Sequence, residues 1–136
     1  MCAIAAVAPA LGHAFSSASL RHIDKPVLVI VGDDDSIATP ATNARYIAGL
    51  IPQARLMALS RVGHYTFLSE CTQRGRSVAG ILCQDEPGVS RTEVHEKVSS
   101  AVLEFLVDVW RRPEPRLMSV MTFPVVFIPP TMNRQP

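Results

Sequence analysis

The chain has 136 residues, of which 48% are hydrophobic, and its 13 basic and 12 acidic side chains give a net charge of +1. This composition fits one domain with a core and, because no basic stripe occurs, gives no support for a nucleic-acid partner. No stretch approaches the roughly 20 apolar residues of a membrane span, so we expect no membrane span and a soluble protein, cytoplasmic as it stands.

Two apolar runs near the start predict parallel strands. Residues 2–8 are apolar on both faces, which predicts a short strand that is fully buried. A polar connection, residues 12–24, follows and is expected to contain a turn or short helix. Pro26 then precedes the run Val27-Leu28-Val29-Ile30-Val31, which is typical of a central strand covered on both faces.

A helix and a third strand are predicted next. Thr39 fits an N-cap and Pro40 the first helical position, with Gly49 and Pro52 marking the end of the helix. Its apolar stripe consists of Ala44, Ile47, Ala48 and Ile51. Residues 55–59 form the next strand. Strand, helix and strand within about 40 residues match the size of a βαβ crossover.

The last predicted helix spans residues 91–110 and begins with the capping box Ser90-Arg91-Thr92-Glu93. Its apolar stripe over five turns is Val94, Val98, Ala101, Val102, Phe105 and Val109. Before it, residues 69–90 are polar and are expected to be an irregular excursion over the surface. Cys71 and Cys83, within that excursion, are either bridged or two unlinked thiols.

The final residues differ in composition from the rest. Residues 113–136 hold six of the eleven prolines, and Pro124 interrupts the apolar run from Phe123 to Ile128, so a central strand is not expected there. The sequence predicts one domain over residues 1–112 and a proline-rich tail over 113–136. That tail is expected to be loosely packed or to cover an exposed sheet edge.

Two turns carry the candidate chemistry. The acidic turn Asp33-Asp34-Asp35 follows the second strand, and Gly63-His64 follows the third. Functional side chains of such sheets collect outside the carboxyl ends of the strands. There an acid can orient an imidazole, which takes a proton from a hydroxyl nucleophile. The simpler interpretation is a solvated acidic turn that favours the start of a helix.

The two turns resemble those of the α/β-hydrolases, in which the acid precedes the histidine in the chain. Val27 to Pro40, of form G-x-x-D followed by a proline, looks like that family's seventh strand, and Leu56 to His64 looks like its eighth. Residues 4–12 and the region from His64 to Cys83 are similar to the dienelactone-hydrolase-like branch. The resemblance covers roughly residues 2–110.

The resemblance implies a partial α/β-hydrolase fold, with about three parallel strands flanked by helices. It implies Asp35 as the triad acid, on the G-x-x-D spacing, and His64 as the general base; Asp33 and Asp34 compete for the acid role. The implied substrate is a small ester or lactone, with neither a cofactor nor a metal ion. Export of full-length relatives remains open.

The chain also departs from the family, because no G-x-S-x-G occurs in it. The nearest string, Gly75-Arg76-Ser77-Val78-Ala79, comes after the histidine and follows no strand, which disfavours Ser77 as a nucleophile. We therefore expect a truncated or split C-terminal portion that is inactive alone, and whether the chain is itself an enzyme stays open. His13, His22 and His95 are expected at the surface.

Two alternatives remain. The first is a non-catalytic half-domain that pairs with an upstream fragment or with itself through an open sheet edge. The second is a haloacid-dehalogenase-like phosphatase, because Asp33-x-Asp35 after a strand resembles the D-x-D start of that family, where an aspartate is the nucleophile and Mg²⁺ joins the carboxylates.

Overall fold

The structure, a computed structural model, describes residues 2–111, and the predicted tail lies outside the described residues. Three parallel strands form one sheet in the order β1–β2–β3. These strands are β1 (Ile4–Val7), β2 (Val27–Gly32) and β3 (Ala54–Leu59). The helices are α1 (Ser17–Arg21), α2 (Ala44–Leu50), α3 (Gln73–Val78) and α4 (Arg91–Arg111), with 3₁₀ turns at Gly12–Ala14, His64–Phe67 and Gly80–Cys83. The predicted three-stranded parallel sheet with flanking helices is confirmed.

Strand β2 is the centre of the core, and all six of its residues are buried. Its side chains alternate between two apolar clusters, which explains the uninterrupted apolar run. One face packs with α1 and α2, the other with β3 and α4. The predicted stripe of α4 is confirmed, since all six of its residues belong to the second cluster: Val94, Val98, Ala101, Val102, Phe105 and Val109. Within the described range, no helix combines the length and the apolar character needed to cross a bilayer.

The prediction that the first strand is fully buried is wrong. Ile4 and Val7 of β1 are 43% and 40% exposed. The reason is that β1 pairs only with β2 among the described residues, so its outer edge is open. An apolar groove of about 540 Å³ runs beside it, and its lining includes Ile4, Pro9 and Phe15.

The predicted start of the second helix is also wrong, because α2 begins at Ala44 and not at Pro40. Residues 39–42 form a turn instead, closed by the amide of Thr42 on the carbonyl of Thr39 at 3.2 Å. The side chain of Asn43 stabilises this turn and ties it to a distant segment. Its Oδ1 accepts from the amide of Gly12 at 2.9 Å, and its Nδ2 donates to the carbonyl of Thr39 at 3.0 Å.

The segment from residue 69 to 90 is more ordered than expected. It contains α3 and the 3₁₀ turn Gly80–Cys83, although neither element has a buried residue. A disulfide joins Cys71 and Cys83, whose Cα atoms lie 5.8 Å apart. Of the two alternatives for these cysteines, the structure therefore contains the bridge.

Candidate active site

The acidic turn fixes one of its three carboxylates in the interior. Asp35 is 2% exposed, and its Oδ1 accepts hydrogen bonds from the amides of Ile37 at 3.0 Å and Ala38 at 2.7 Å. An aspartate at such a turn bonds its own backbone a few residues on. These two bonds hold the carboxyl group in one orientation and direct Oδ2 toward the neighbouring strand end.

The turn after β3 lies directly against the acidic turn. The amides of Asp33 and Asp34 donate to the carbonyls of Leu59 and Val62, at 3.0 and 3.2 Å. Gly32 makes this approach possible, since a Cβ atom there would lie 1.9 Å from the carbonyl oxygen of Val62. Backbone contact between the two turns therefore sets the position of the residues that follow each of them.

Asp35 and His64 meet at this edge of the sheet. Nδ1 of His64 lies 2.7 Å from Oδ2 of Asp35. The side chain of His64 is 24% exposed, and that of Asp35 is 0% exposed. An ionised carboxylate can only accept, so Nδ1 is the donor in a bond to one, and in the neutral imidazole of that tautomer Nε2 is the acceptor. The structure thus brings together the two residues that the resemblance implies as triad acid and general base.

The competing acids have other surroundings. Asp33 is exposed, and its carboxylate accepts from the amide of Arg61 at 2.6 Å and from the hydroxyl of Ser60 at 3.2 Å. Asp34 is also exposed. Asp33 and Asp35 thus bind different partners. Within residues 2–111, no group of three or more histidine, cysteine or acidic side chains is arranged to hold a metal ion.

The other three histidines and Ser77 lie outside the contact between Asp35 and His64. His13 and His22 are exposed as expected. His95 was expected to face solvent, which is wrong, because it is half-buried and its Nε2 is buried without a hydrogen-bond partner. It lies one turn after the buried Arg91, at the border of the apolar stripe of α4. Ser77 is exposed on α3, and its hydroxyl donates to the carbonyl of Arg74 at 2.8 Å.

His64 opens into a cleft of about 430 Å³. One side consists of residues from the acidic turn, namely Asp34, Ser36 and Ile37. A second part of the lining, called the cleft wall below, comes from residues 81–87 and consists of Ile81, Gln84, Asp85, Glu86 and Pro87. The sequence does not indicate this wall, because the composition of a polar surface segment does not show which other residues it lies against.

No family model matches this chain. It is similar to solved structures, among them a meta-cleavage product hydrolase, CumD, from Pseudomonas fluorescens (18% identity, TM-score 0.49). A protein from Mycobacterium tuberculosis assigned as the non-heme bromoperoxidase BpoC has 25% identity and a TM-score of 0.48. An esterase from a Rhodococcus species has 25% identity and a TM-score of 0.36. The matches cover 70%, 70% and 62% of this chain, which spans only 26%, 26% and 24% of the three neighbours.

The strand order and the site together determine the fold type. An acid follows β2, a histidine bonded to it follows β3, and α4 packs over the same sheet. In the α/β-hydrolases the acid and then the histidine occupy successive places after the nucleophile. The described residues form a partial α/β-hydrolase fold. No G-x-S-x-G, the form of a nucleophile elbow, occurs in the 136 residues.

Proposed function

We propose that this chain supplies the acid and the general base of a dienelactone-hydrolase-like serine hydrolase. The observation that supports the proposal is the 2.7 Å hydrogen bond between His64 and Asp35, whose carboxylate is itself oriented by two amides. The nucleophilic serine of the proposed enzyme would lie on a segment that this sequence does not include. The proposed substrates are small-molecule esters or lactones.

In the proposed reaction, Nε2 of His64 removes the proton from the serine hydroxyl as its oxygen attacks the carbonyl carbon of the ester. The Asp35 carboxylate stabilises the imidazolium that forms. His64 then returns this proton to the leaving alcohol, which departs and leaves an acyl-enzyme. Water, deprotonated by His64 in turn, attacks the acyl-enzyme, and His64 returns that proton to the serine oxygen as the acid is released.

The proposed role explains why the chain alone should be inactive. Most of the rate enhancement of acyl transfer comes from the nucleophile and from the donors that stabilise the oxyanion. An acid and an imidazole without these groups supply only proton transfer. No cofactor is needed for the proposed chemistry.

We expect hydrolysis of a short-chain chromogenic ester when the chain is produced together with an upstream segment that carries a nucleophile elbow. The 136-residue chain by itself should show no turnover above the buffer rate. The genomic sequence before Met1 identifies the segment to use, since an open frame encoding G-x-S-x-G is expected there. Turnover by the chain alone, or none with the elbow segment present, would contradict the proposal.

A non-catalytic half-domain is the second candidate, and the open edge of β1 is the observation that favours it. Ile4 and Val7 are exposed there, next to the apolar groove of about 540 Å³. An apolar edge of this kind recruits another chain. This role and the catalytic one are compatible, because the same edge would receive the upstream fragment.

We expect the purified chain to associate with itself when no upstream fragment is present. Light scattering coupled to size exclusion measures this directly, as a mass above the 14.8 kDa of one chain that rises with concentration. Substituting Val7 with lysine places a charge at the open edge and should reduce the association. A concentration-independent monomer of the unmodified chain would remove this candidate.

A phosphatase is not proposed. In the D-x-D arrangement both carboxylates share one metal-binding site. Here Asp35 accepts from His64 and two amides, whereas Asp33 accepts from Ser60 and Arg61.

A further inference from the structure

The cleft wall lines the same cleft as the acidic turn, yet it is not held by apolar packing. Its first residue, Ile81, is 69% exposed, and the elements that precede it, α3 and Gly80–Cys83, contain no buried residue. Segments with few buried apolar contacts open at low free-energy cost. Other interactions must therefore keep the wall near His64.

Arg91, the first residue of α4, makes most of these interactions. Its side chain is 6% exposed and donates from three nitrogens: Nε to Oδ2 of Asp85 at 2.7 Å, Nη2 to the carbonyl of Leu82 at 2.6 Å, and Nη1 to the carbonyl of Ser69 at 3.1 Å. One buried guanidinium thus binds Leu82 and Asp85 within residues 81–87, and Ser69 ahead of α3, to a helix that packs on the sheet.

Asp85 makes the wall depend on this arginine. Its side chain is 17% exposed, and its second oxygen, Oδ1, is buried without a hydrogen-bond partner. If Arg91 were removed, a largely buried carboxylate would lose its cation, which is strongly unfavourable. Turning that carboxylate toward water would move the wall away from the core.

The disulfide is the second anchor. It joins Cys71, before α3, to Cys83, which lies immediately before Gln84 of the wall. Both cysteines are only half-buried and line a small open cavity of about 180 Å³ together with Arg91. A small dithiol can therefore reach the bridge. Arg61 adds a surface contact by donating to the carbonyl of Pro87.

We propose that Arg91 is a positioning residue which, together with the Cys71–Cys83 disulfide, holds the cleft wall over His64, and that reduction by a dithiol releases the wall. In that reduction both cysteine sulfurs end as thiols, and the dithiol is oxidised to its own disulfide. The inference rests on the proposed function in one respect, namely that the cleft is the substrate site. Its test does not require catalysis.

The test measures how fast diethyl pyrocarbonate modifies each histidine of the 136-residue chain, with the sites separated by peptide mass spectrometry. We compare the unmodified chain, Arg91→Met and the double variant Cys71→Ser/Cys83→Ser. His64 should react about fivefold faster in both variants, because its free Nε2 becomes more accessible when the wall opens. His22, exposed at the C-cap of α1, is the internal control for the reagent and should change less than about twofold.

Two further samples separate wall release from a general loss of structure. Arg91→Lys keeps the charge beside Asp85 but loses the fork that reaches two carbonyls, so its His64 rate should be intermediate. The unmodified chain treated with dithiothreitol should match the double serine variant. An unchanged His64 rate in Arg91→Met and in the reduced chain would overturn the proposal. In the reduced chain, where Arg91 is unchanged, an equal rise at His95, whose Nε2 is buried in the folded chain, would overturn it too, since the wall would then open only with the whole fold. Failure of ester hydrolysis to appear leaves these rates unaffected, so the two proposals fail separately.

Discussion

Substituting His64 with alanine is expected to lower kcat/KM for ester hydrolysis by about 10⁴-fold or more when the chain is combined with the nucleophile segment of the proposed enzyme. Without the imidazole, nothing at this strand end accepts the serine proton or returns it to the leaving group. The fold should persist, because His64 is half-buried at the edge of the cleft and contributes no backbone pairing to the sheet. Initial rates on a short-chain chromogenic ester measure the effect.

The same assay assigns the acid. Asp35→Asn should lower kcat/KM by about 10⁴-fold. The side-chain amide has one acceptor oxygen, whereas Asp35 accepts with both Oδ1 and Oδ2. Asp33→Asn is the matched control, two residues away and bonded to Ser60 and Arg61; we expect a loss below about tenfold. His22→Ala controls for the histidine substitution. A loss at Asp33 equal to that at Asp35, or full activity of His64→Ala, would contradict the assignment.

Replacing Gly32 by alanine is expected to destabilise the chain by about 3 kcal/mol. The added Cβ would lie 1.9 Å from the carbonyl oxygen and 2.6 Å from the carbonyl carbon of Val62. Both contacts are with backbone, so the clash cannot be relieved by a rotamer change. The two turns must separate, which also moves Asp35 away from His64. Urea denaturation of the purified chain measures the loss as a lower midpoint.

Gly49→Ala is the control for this substitution. Gly49 lies in α2, and a Cβ atom there meets nothing within 4 Å. Alanine is favoured over glycine inside a helix, so this variant should be more stable by up to about 1 kcal/mol. If Gly32→Ala unfolds at the same urea concentration as the unmodified chain, the close approach of the two turns is wrong.

The parts of the fold that the sequence predicted are those in which local pattern and long-range packing agree. The run from Val27 to Val31 is apolar on both faces and is covered on both. The stripe from Val94 to Val109 has helical spacing and packs on the sheet as one face. The acid and histidine turns followed from the same logic, since each comes directly after a strand and parallel strands end at one edge.

The errors arose where a distant contact decides the local structure. Thr39 and Pro40 have the residue types of a helix start, but Asn43 bonds the amide of Gly12, 31 residues away, and the helix begins after it. For β1, the apolar pattern shows that the strand favours burial on both faces. The pattern does not show whether a neighbour is present to cover it.

The cleft wall was missed because its order comes from a crosslink and one arginine and not from its composition. A signal for Arg91 was nonetheless present. It lies three residues before Val94 and so shares the apolar face of the helix, where a charged residue is unusual without a partner. Its place inside the capping box from Ser90 to Glu93 instead predicts an exposed residue at the start of the helix.

The acid and the histidine are only 29 residues apart, and both are positioned by one βαβ unit whose turns bind each other. The proposed acid and general base are thus encoded in one short contiguous stretch of the gene. A polypeptide divided before β1 would keep both residues in one fragment. Hydrolysis of a chromogenic ester could then report the association of two separately produced fragments. The chain is therefore a natural starting point for a split-enzyme sensor of molecular association.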